Sequence, residues 1–134
     1  QVGKDPQGKP IWHVFSHGGR NDTGRDAIAW ALEAVSLGAG EILLNSIDAD
    51  GTGSGYDLKL IRHMMEVSSV PVIASGGAGN LDQIAQVLLP PHAGSGELWG
   101  NADAALIASL LHFEKTTIPE IKRYAESKGV CVRW

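Results

Sequence analysis

Cysteine is almost absent from this 134-residue sequence, in which Cys131 is the only one. A single cysteine cannot form an internal disulfide, so we expect a protein of the reducing cytoplasm. We also expect no signal peptide. Aromatic residues are also scarce, at 6%. No apolar run approaches the ~20 residues that a transmembrane helix needs. The sequence therefore argues against a secreted disulfide scaffold and against an α-helical membrane span.

Positive charge is in short supply as well. Eleven Lys and Arg face fifteen Asp and Glu, for a net charge of −4, and no basic run stands out. This balance argues against a nucleic-acid-binding surface. A hydrophobic content of 43% is ordinary for a globular protein, and 134 residues are enough to bury one hydrophobic core. We therefore expect a single domain. Because the sequence begins with Gln1 rather than Met, we expect it to be part of a larger protein.

Glycine is plentiful, with 17 residues, and the sequence PVIASGGAG over Pro71–Gly79 is the most informative stretch. The apolar residues Val70, Val72, Ile73 and Ala74 predict a strand that is buried on both faces. A glycine-rich turn follows, and Asn80 is the predicted N-cap of an amphipathic helix. A strand, a glycine turn and a helix N-terminus together are typical of an anion site. A tight turn without a ligand is the alternative.

The rest of the chain alternates predicted helices and strands. Residues 1–24 are predicted to form a hairpin and loop, and Thr23 with Asp26 approximates a capping box for the first helix. The second helix is predicted to start at Asp57 and the last to be capped by Thr117 with Glu120. Further strands are expected at 41–45 and 103–107, and an inserted surface loop at 90–100.

This alternation predicts right-handed βαβ units on a parallel sheet. Three strands are too few to close a sheet, so the chain is either a small open α/β domain or part of a (β/α)₈ barrel. The loops after the strands, at 45–55, 75–79 and 108–109, are rich in Gly, Ser and Asp. In a barrel these loops share the face that carries the chemistry, so their composition favours the barrel.

Several residues of these loops are candidates for a phosphate site. Two turns at helix starts, one carrying Gly76 and Gly77 and one carrying Ala108 and Ser109, resemble the phosphate site after the last two strands of such barrels. Gly51 would add backbone donors from a third loop. We therefore expect a phosphorylated small-molecule substrate.

Acid–base candidates are fewer. Asp48 and Asp50 alternate at a strand end, and either carboxylate could titrate at the mouth of the site. For Asp50 the alternative is an Asx bond that holds its own turn. Glu41 enters a strand from the opposite end, and a structural salt bridge is expected there. Ser75 has no histidine at triad spacing.

No metal or cofactor is expected from the sequence. His13 and His17 stand four residues apart, which on a helix is the spacing of metal ligands. Pro10 before them and Gly18 after them predict an extended or looped segment instead, so we expect loop histidines.

Three segments and the tail carry a family resemblance. GAGEILLNSIDADGTGSGYD (38–57), VPVIASGGAG (70–79), ADAALIASLLHF (102–113) and IKRYAESKGVCVR near the C-terminus closely resemble the cyclase family of imidazole glycerol phosphate synthase. The resemblance covers nearly the whole chain except residues 90–100. It implies a (β/α)₈ barrel, of which residues 1–134 would be the C-terminal half, with strands six to eight and helices five to eight.

The resemblance also implies a function. The family is a lyase of histidine biosynthesis that uses ammonia from a glutaminase partner. It converts a phosphoribulosyl-formimino-aminoimidazole-carboxamide ribonucleotide, which carries two phosphates, to imidazole glycerol phosphate and an aminoimidazole carboxamide ribonucleotide. By the same resemblance, Gly51, Gly77, Ala108 and Ser109 match a phosphate site and Glu41 an ammonia gate.

Three further residues match supporting positions of the family. Asp50 lies beside the phosphate site, Asn45 points into the pocket and Ser75 faces the substrate. The family's acid and base are two aspartates that would precede Gln1, together with the N-terminal half of the barrel, so the chain alone is expected to be inactive. The alternatives are the sibling isomerase of the same pathway, or a non-enzymatic phosphate-binding half-barrel that self-associates.

Overall fold

The structure, a computed structural model, describes residues 2–91 and 98–134. Their strands form two antiparallel hairpins and one three-stranded parallel sheet. In chain order the elements are β1 (Gly3–Lys4), β2 (Pro10–Ile11), β3 (His13–Ser16), β4 (Asn21–Asp26), α1 (Ala27–Ser36), β5 (Ile42–Asn45), α2 (Leu58–Val67), β6 (Val72–Ser75), α3 (Leu81–Leu88), β7 (Ala104–Ala105), α4 (Ser109–His112) and α5 (Ile118–Ser127).

The first part of the chain consists of two hairpins, in which β1 pairs with β2 and β3 with β4. Because β4 extends to Asp26, the predicted capping role of Thr23 is wrong. The Thr23 hydroxyl donates to the carbonyl of Val14, 2.6 Å away, inside the hairpin. Asp26 is the N-cap of α1, and its carboxylate accepts from the N–H of Ala29 at 2.8 Å.

The parallel sheet has the strand order β5-β6-β7. Its register pairs Leu43 with Ile73 and Asn45 with Ser75, which confirms the predicted parallel α/β organisation. The strand predicted at 103–107 is shorter than expected, since only Ala104–Ala105 pair with β6. The three strands form an open sheet, so the barrel remains a prediction.

The helices cover one face of this sheet. Val72 and Ala74 are fully buried against core residues of the helices, including Met64 of α2 and Ile84 of α3. The opposite face is more open, because Leu43 is 58% exposed and Ile73 is only partly buried. The two-sided burial predicted for Val72–Ala74 therefore holds only in part.

Polar side chains begin the helices that follow the sheet strands. Asp57 accepts from the N–H of Leu60 at 3.0 Å, and Asn80 accepts from that of Gln83 at 2.9 Å. Thr117 and Glu120 form the predicted capping box of α5. The N–H of Thr117 donates to the Glu120 carboxylate, which holds the pKa of Glu120 below its ordinary value. These three predicted helix starts are confirmed.

The insertion predicted at 90–100 falls mainly on residues 92–97, which lie outside the described residues. At its far end, the Leu98 carbonyl accepts from Gln86 Nε2 at 3.0 Å, and the N–H of Gly100 donates to the Gln86 carbonyl at 3.1 Å. The chain thus returns along α3 to β7. Of the helices in the described ranges, none combines the length and apolarity needed to cross a bilayer.

Candidate functional site

Three connections meet at the carboxyl edge of the parallel sheet, at residues 46–57, 76–80 and 106–108. A cavity of about 370 Å³ lies between them. Seven residues selected from the sequence line it together, namely Asp50, Gly51, Ser75, Gly76, Gly77, Ala108 and Ser109. The residues converge because parallel strands place their carboxyl ends, and the loops that follow, at one edge of a sheet.

Backbone packs directly against backbone beneath this cavity. The N–H of Gly55 donates to the carbonyl of Gly77 at 2.8 Å. Gly77 has a φ of +109°, and a Cβ built there would lie 2.1 Å from the Gly55 oxygen. At Gly79 a Cβ would lie 2.0 Å from the oxygen of Gly53. Only glycine fits at these two positions, so the turn requires the residues that the sequence supplies.

Gln83 joins the same two loops through its side chain. Its Oε1 accepts from the N–H of Gly79 at 2.8 Å, and its Nε2 donates to the carbonyl of Gly53 at 3.5 Å. Sequence reasoning missed this role. The available signal was a glutamine three residues after the N-cap Asn80, the position from which a capping box reaches back toward the preceding backbone.

Several backbone donors at the cavity are left unpaired. No residue in the described ranges accepts a hydrogen bond from the N–H of Gly51, Gly77 or Ala108. Helix α3 begins directly after the glycine turn, so the positive end of its dipole lies at the same edge. Free N–H groups in a glycine turn beside a helix N-terminus form an arrangement that suits an anion.

Ser75 and Asn45 are linked across β6 and β5. The hydroxyl of Ser75 donates to Asn45 Oδ1 at 2.8 Å, and Ser75 is 8% exposed. Ser75 lines the cavity, whereas Asn45 lines a second, larger groove beside β5. Asn45 nevertheless lies next to the glycine turn, because its Oδ1 would be 3.0 Å from a Cβ built on Gly76.

Asp50 lines both the cavity and the groove. The turn that follows it is closed by the carbonyl of Ala49, which accepts from the N–H of Thr52 at 3.1 Å and from its hydroxyl at 2.7 Å. The Asx bond considered for Asp50 is therefore wrong. No described residue donates a hydrogen bond to the Asp50 carboxylate, which remains available to a ligand.

Tyr56 links the first connection, 46–57, to the third, 106–108. Its hydroxyl donates to the carbonyl of Leu106 at 3.0 Å, and its ring is buried in the core. Burial raises the pKa of Tyr56 to about 12, so the hydroxyl keeps its proton in alkaline solution where an exposed tyrosine would lose it. No pattern in the sequence indicates this bond, which joins residues fifty positions apart.

Glu41 lies away from the cavity, immediately before the amino end of β5. It lines the second groove, of about 930 Å³, which runs between β5 and the hairpin of β3 and β4. Its side chain is exposed and makes no ion pair within the described part of the chain. The expected salt bridge is wrong, because water solvates a carboxylate at the surface and no partner is needed.

The two histidines singled out by their spacing lie at the hairpin of β3 and β4. His13 Nδ1 is 3.0 Å from the Asp22 carboxylate, and that hydrogen bond lowers the pKa of Asp22. His17 Nδ1 is 3.0 Å from the Ser16 hydroxyl. No group of three or more His, Cys, Asp and Glu side chains in the described ranges is arranged to hold a metal ion.

Comparison with known proteins confirms the resemblance seen in the sequence. The family model described as histidine biosynthesis protein matches residues 2–117. The chain belongs to this family. All residues that line the cavity at the carboxyl edge of the sheet fall within the matched range.

A curated relative in this family is the imidazole glycerol phosphate synthase subunit HisF of Exiguobacterium sibiricum. It is 56% identical to this chain over 122 residues. The alignment covers 91% of this chain and 45% of the relative. The chain therefore spans about half the length of the relative that it matches.

Proposed function

We propose that the cavity at the carboxyl edge of the sheet binds a phosphate group of a small-molecule substrate. The observation that carries this proposal is the convergence on one cavity of N–H groups from Gly51, Gly77 and Ala108, for which the described residues supply no acceptor. Backbone donors held by a rigid turn need little reorganisation when an anion binds. Ser109, the first residue of α4, supplies a further N–H and a hydroxyl at the same wall.

The protein that contains this chain is, on this proposal, the cyclase subunit of imidazole glycerol phosphate synthase in histidine biosynthesis. It uses ammonia from a glutaminase subunit to convert the bisphosphate ribonucleotide substrate to imidazole glycerol phosphate and an aminoimidazole carboxamide ribonucleotide. Membership of the histidine biosynthesis family and the 56% identity to a subunit with that name support this assignment.

Within that reaction the chain supplies binding and positioning. The cavity holds one substrate phosphate, and the Ser75 hydroxyl at its wall orients the substrate beside it. Asp50, whose carboxylate lacks a hydrogen bond from the described residues, faces both the cavity and the groove. The catalytic aspartates and the second phosphate site lie outside these 134 residues, so the chain alone is inactive.

The same proposal assigns the chain to the C-terminal half of a (β/α)₈ barrel. Helices pack on the Val72 and Ala74 face of the sheet, while Leu43 on the opposite face is 58% exposed. A barrel places its helices outside and the other sheet face toward the lumen. The N-terminal half would complete the sheet beside the free edges of β5 and β7.

Glu41 is assigned to the ammonia gate. It precedes the amino end of β5, while the cavity lies at the carboxyl end. By its resemblance to the cyclase family, Glu41 matches a charged residue of the gate through which ammonia enters the base of the barrel. The exposed carboxylate of Glu41 suits this role.

The test is ammonium-dependent cyclisation of the bisphosphate substrate by the full-length protein. We expect turnover with added ammonium, and loss of substrate affinity in the Gly77→Ala variant. The matched control is Gly38→Ala, because Gly38 has a φ of +104° but no atom within 4 Å of a built Cβ. Turnover that does not require ammonium, in the form of an aminoaldose-to-aminoketose isomerisation, would overturn the assignment in favour of the sibling isomerase.

A second measurement addresses the isolated chain. Purified residues 1–134 should give no cyclisation with ammonium, and activity should return when the N-terminal half is added. Cyclisation by the isolated chain at the rate of the full-length protein would contradict the proposed location of the catalytic aspartates.

A further inference from the structure

Lys115 stands at the wall of the cavity just described. Among the residues that line this cavity, the ionisable side chains are Asp50 and Lys115. The backbone donors carry only partial charges, so these two side chains set the formal charge that a bound anion meets. Lys115 lies after α4, outside the sequence motifs that first indicated a phosphate site.

The backbone of Lys115 is held firmly in place. The N–H of Lys115 donates to the carbonyl of Leu110 at 2.9 Å, and that of Glu114 to the carbonyl of Leu111 at 3.1 Å. This pair of bonds is a Schellman motif, with Glu114 at the left-handed position, where φ is +54°. Leu110 is only 6% exposed, so the motif is anchored to the core.

The ammonium group of Lys115, by contrast, is uncommitted. It makes no ion pair or hydrogen bond with any described residue. Other lysines near the C-terminus are engaged, since Lys122 Nζ donates to the carbonyl of Arg133 and Lys128 Nζ lies 3.7 Å from Asp82. A fixed backbone with a free, exposed cation suits a side chain that moves onto a ligand.

Electrostatics indicate why the cavity needs this cation. A phosphate that approaches the N–H groups of Gly51 and Gly77 also approaches the Asp50 carboxylate at the same wall. Like charges repel, and this repulsion opposes the attraction of the backbone donors. A lysine ammonium at the cavity offsets that repulsion and adds a charge-assisted hydrogen bond.

We propose that Lys115 is the cationic side chain of this anion cavity, and that its ammonium group binds the phosphate held by the glycine turns. This inference rests on the proposed phosphate site. It adds a formal positive charge to a site that is otherwise formed by backbone N–H groups. The affinity of the cavity for phosphate then depends on ionic strength through Lys115.

The experiment follows the Gly51 and Gly77 amide shifts of the ¹⁵N-labelled full-length protein during titration with inorganic phosphate, at low and high salt, so that it reports on this cavity and not on the second phosphate site. We expect Lys115→Met to weaken binding about five- to tenfold at low salt, the range of a charge-assisted bond at a partly exposed site. The difference should shrink at about 1 M salt, where the Debye length is roughly 3 Å. Lys115→Arg should keep most of the affinity, since it retains the charge.

Lys9→Met is the matched control, because Lys9 is an exposed lysine in the connection between β1 and β2 and lines neither the cavity nor the groove. It should leave phosphate binding unchanged. Equal loss in the Lys9 and Lys115 variants would overturn the proposal, since it would reflect net charge alone. Equal binding by wild type and Lys115→Met at low salt would overturn the role of Lys115 but leave the phosphate site intact.

Absence of saturable shifts at the Gly51 and Gly77 amides of the wild-type protein at low salt has a different meaning. It would overturn the proposed site itself, and the role of Lys115 with it. Because the Lys115 side chain is exposed and makes no hydrogen bond or ion pair with a described residue, the variants should unfold at the same urea concentration as wild type. Binding changes can then be separated from changes in folding.

Discussion

The two ends of the parallel sheet are built from different interactions. At the amino end, side chains satisfy the backbone: Asp103 Oδ2 accepts from the N–H of Val72 at 2.9 Å, and Ser68 Oγ accepts from that of Val70 at 3.2 Å. At the carboxyl end, side-chain bonds from Gln83 and Tyr56 join the loops, and glycine turns pack backbone on backbone. There, no described residue accepts a hydrogen bond from the N–H groups of Gly77 and Ala108.

This difference separates stability from binding. The amino end uses its polar groups to hold the strands together, so little remains there to recognise a ligand. The carboxyl end keeps backbone donors free and fixes them through tight glycine contacts, which suits an anion. Exposed Glu41 is the exception at the amino end, and it is the residue that we assign to the entry of ammonia.

The largest expected effect comes from adding a methyl group to the glycine turn. Gly77→Ala places a Cβ 2.1 Å from the Gly55 oxygen at a φ of +109°, so backbone must move. We expect a loss of about 3–5 kcal/mol in the free energy of unfolding from strain and overpacking together. Urea denaturation measures the loss, and phosphate titration should show binding weakened by at least about tenfold.

Gly38→Ala is the control from the amino end. Its φ is +104°, but no atom lies within 4 Å of a built Cβ. We expect only backbone strain of about 1–3 kcal/mol, with phosphate binding unchanged. If both variants lost phosphate affinity equally, the contrast between the two ends of the sheet would be wrong.

Tyr56 provides a pH-dependent test of the carboxyl end. Its pKa is raised to about 12 in the folded protein, against roughly 10 in the unfolded chain. Above pH 10 the unfolded state therefore loses this proton first, and the free energy of unfolding falls by about 1.4 kcal/mol per pH unit until the folded pKa is reached.

The measurement is urea unfolding between about pH 9 and pH 12, compared with Tyr56→Phe. The variant lacks the bond to the Leu106 carbonyl and should be less stable at neutral pH. It should also lose this part of the alkaline decline. The same slope in both proteins would show that Tyr56 ionises normally.

Asp103 tests the amino end. Asp103→Ala removes the acceptor for the N–H of Val72, a residue that is fully buried. We expect the free energy of unfolding to fall by about 1–3 kcal/mol, the cost of a buried donor left unpaired. Phosphate affinity should not change, and Asp103→Asn, which keeps an oxygen acceptor, should restore most of the stability. A loss of phosphate binding in Asp103→Ala would contradict the division between the two ends.

The smallest expected effect is a gain in stability. Glu114 has a φ of +54° in the Schellman motif after α4, a conformation that glycine adopts more easily. We expect Glu114→Gly to raise the free energy of unfolding by about 1 kcal/mol. The matched Glu126→Gly, inside α5, should lower it by a similar amount, about 1 kcal/mol. Thermal denaturation compares the two, and destabilisation by both would show that the turn is not strained.

Features that depend on local sequence were the ones that could be predicted. Asn80 and Thr117 correctly indicate the starts of their helices, because an N-cap bonds to the backbone only three residues away. The glycine turns converged as expected, because parallel strands bring their following loops to one edge. The parallel arrangement itself follows from alternating helices and strands.

Features that depend on distant contacts could not be predicted. The bond from Tyr56 to Leu106 joins residues fifty positions apart, and no spacing in the sequence marks it. The spacing of Thr23 and Asp26 predicts a cap at Thr23, and this prediction is wrong because β4 extends to Asp26 through its pairing with β3. The solvent exposure of Glu41, which removes its need for a salt bridge, depends on tertiary packing in the same way.

The central claim is that the unpaired backbone N–H groups at the carboxyl edge bind phosphate. The most direct test is a titration of the full-length, ¹⁵N-labelled protein with inorganic phosphate, followed by amide chemical shifts. We predict saturable shifts of the Gly51, Gly77 and Ala108 amides, with Val70 and Val72 at the amino end unchanged. The claim is contradicted if those three amides stay still, or if the largest shifts occur at the amino end.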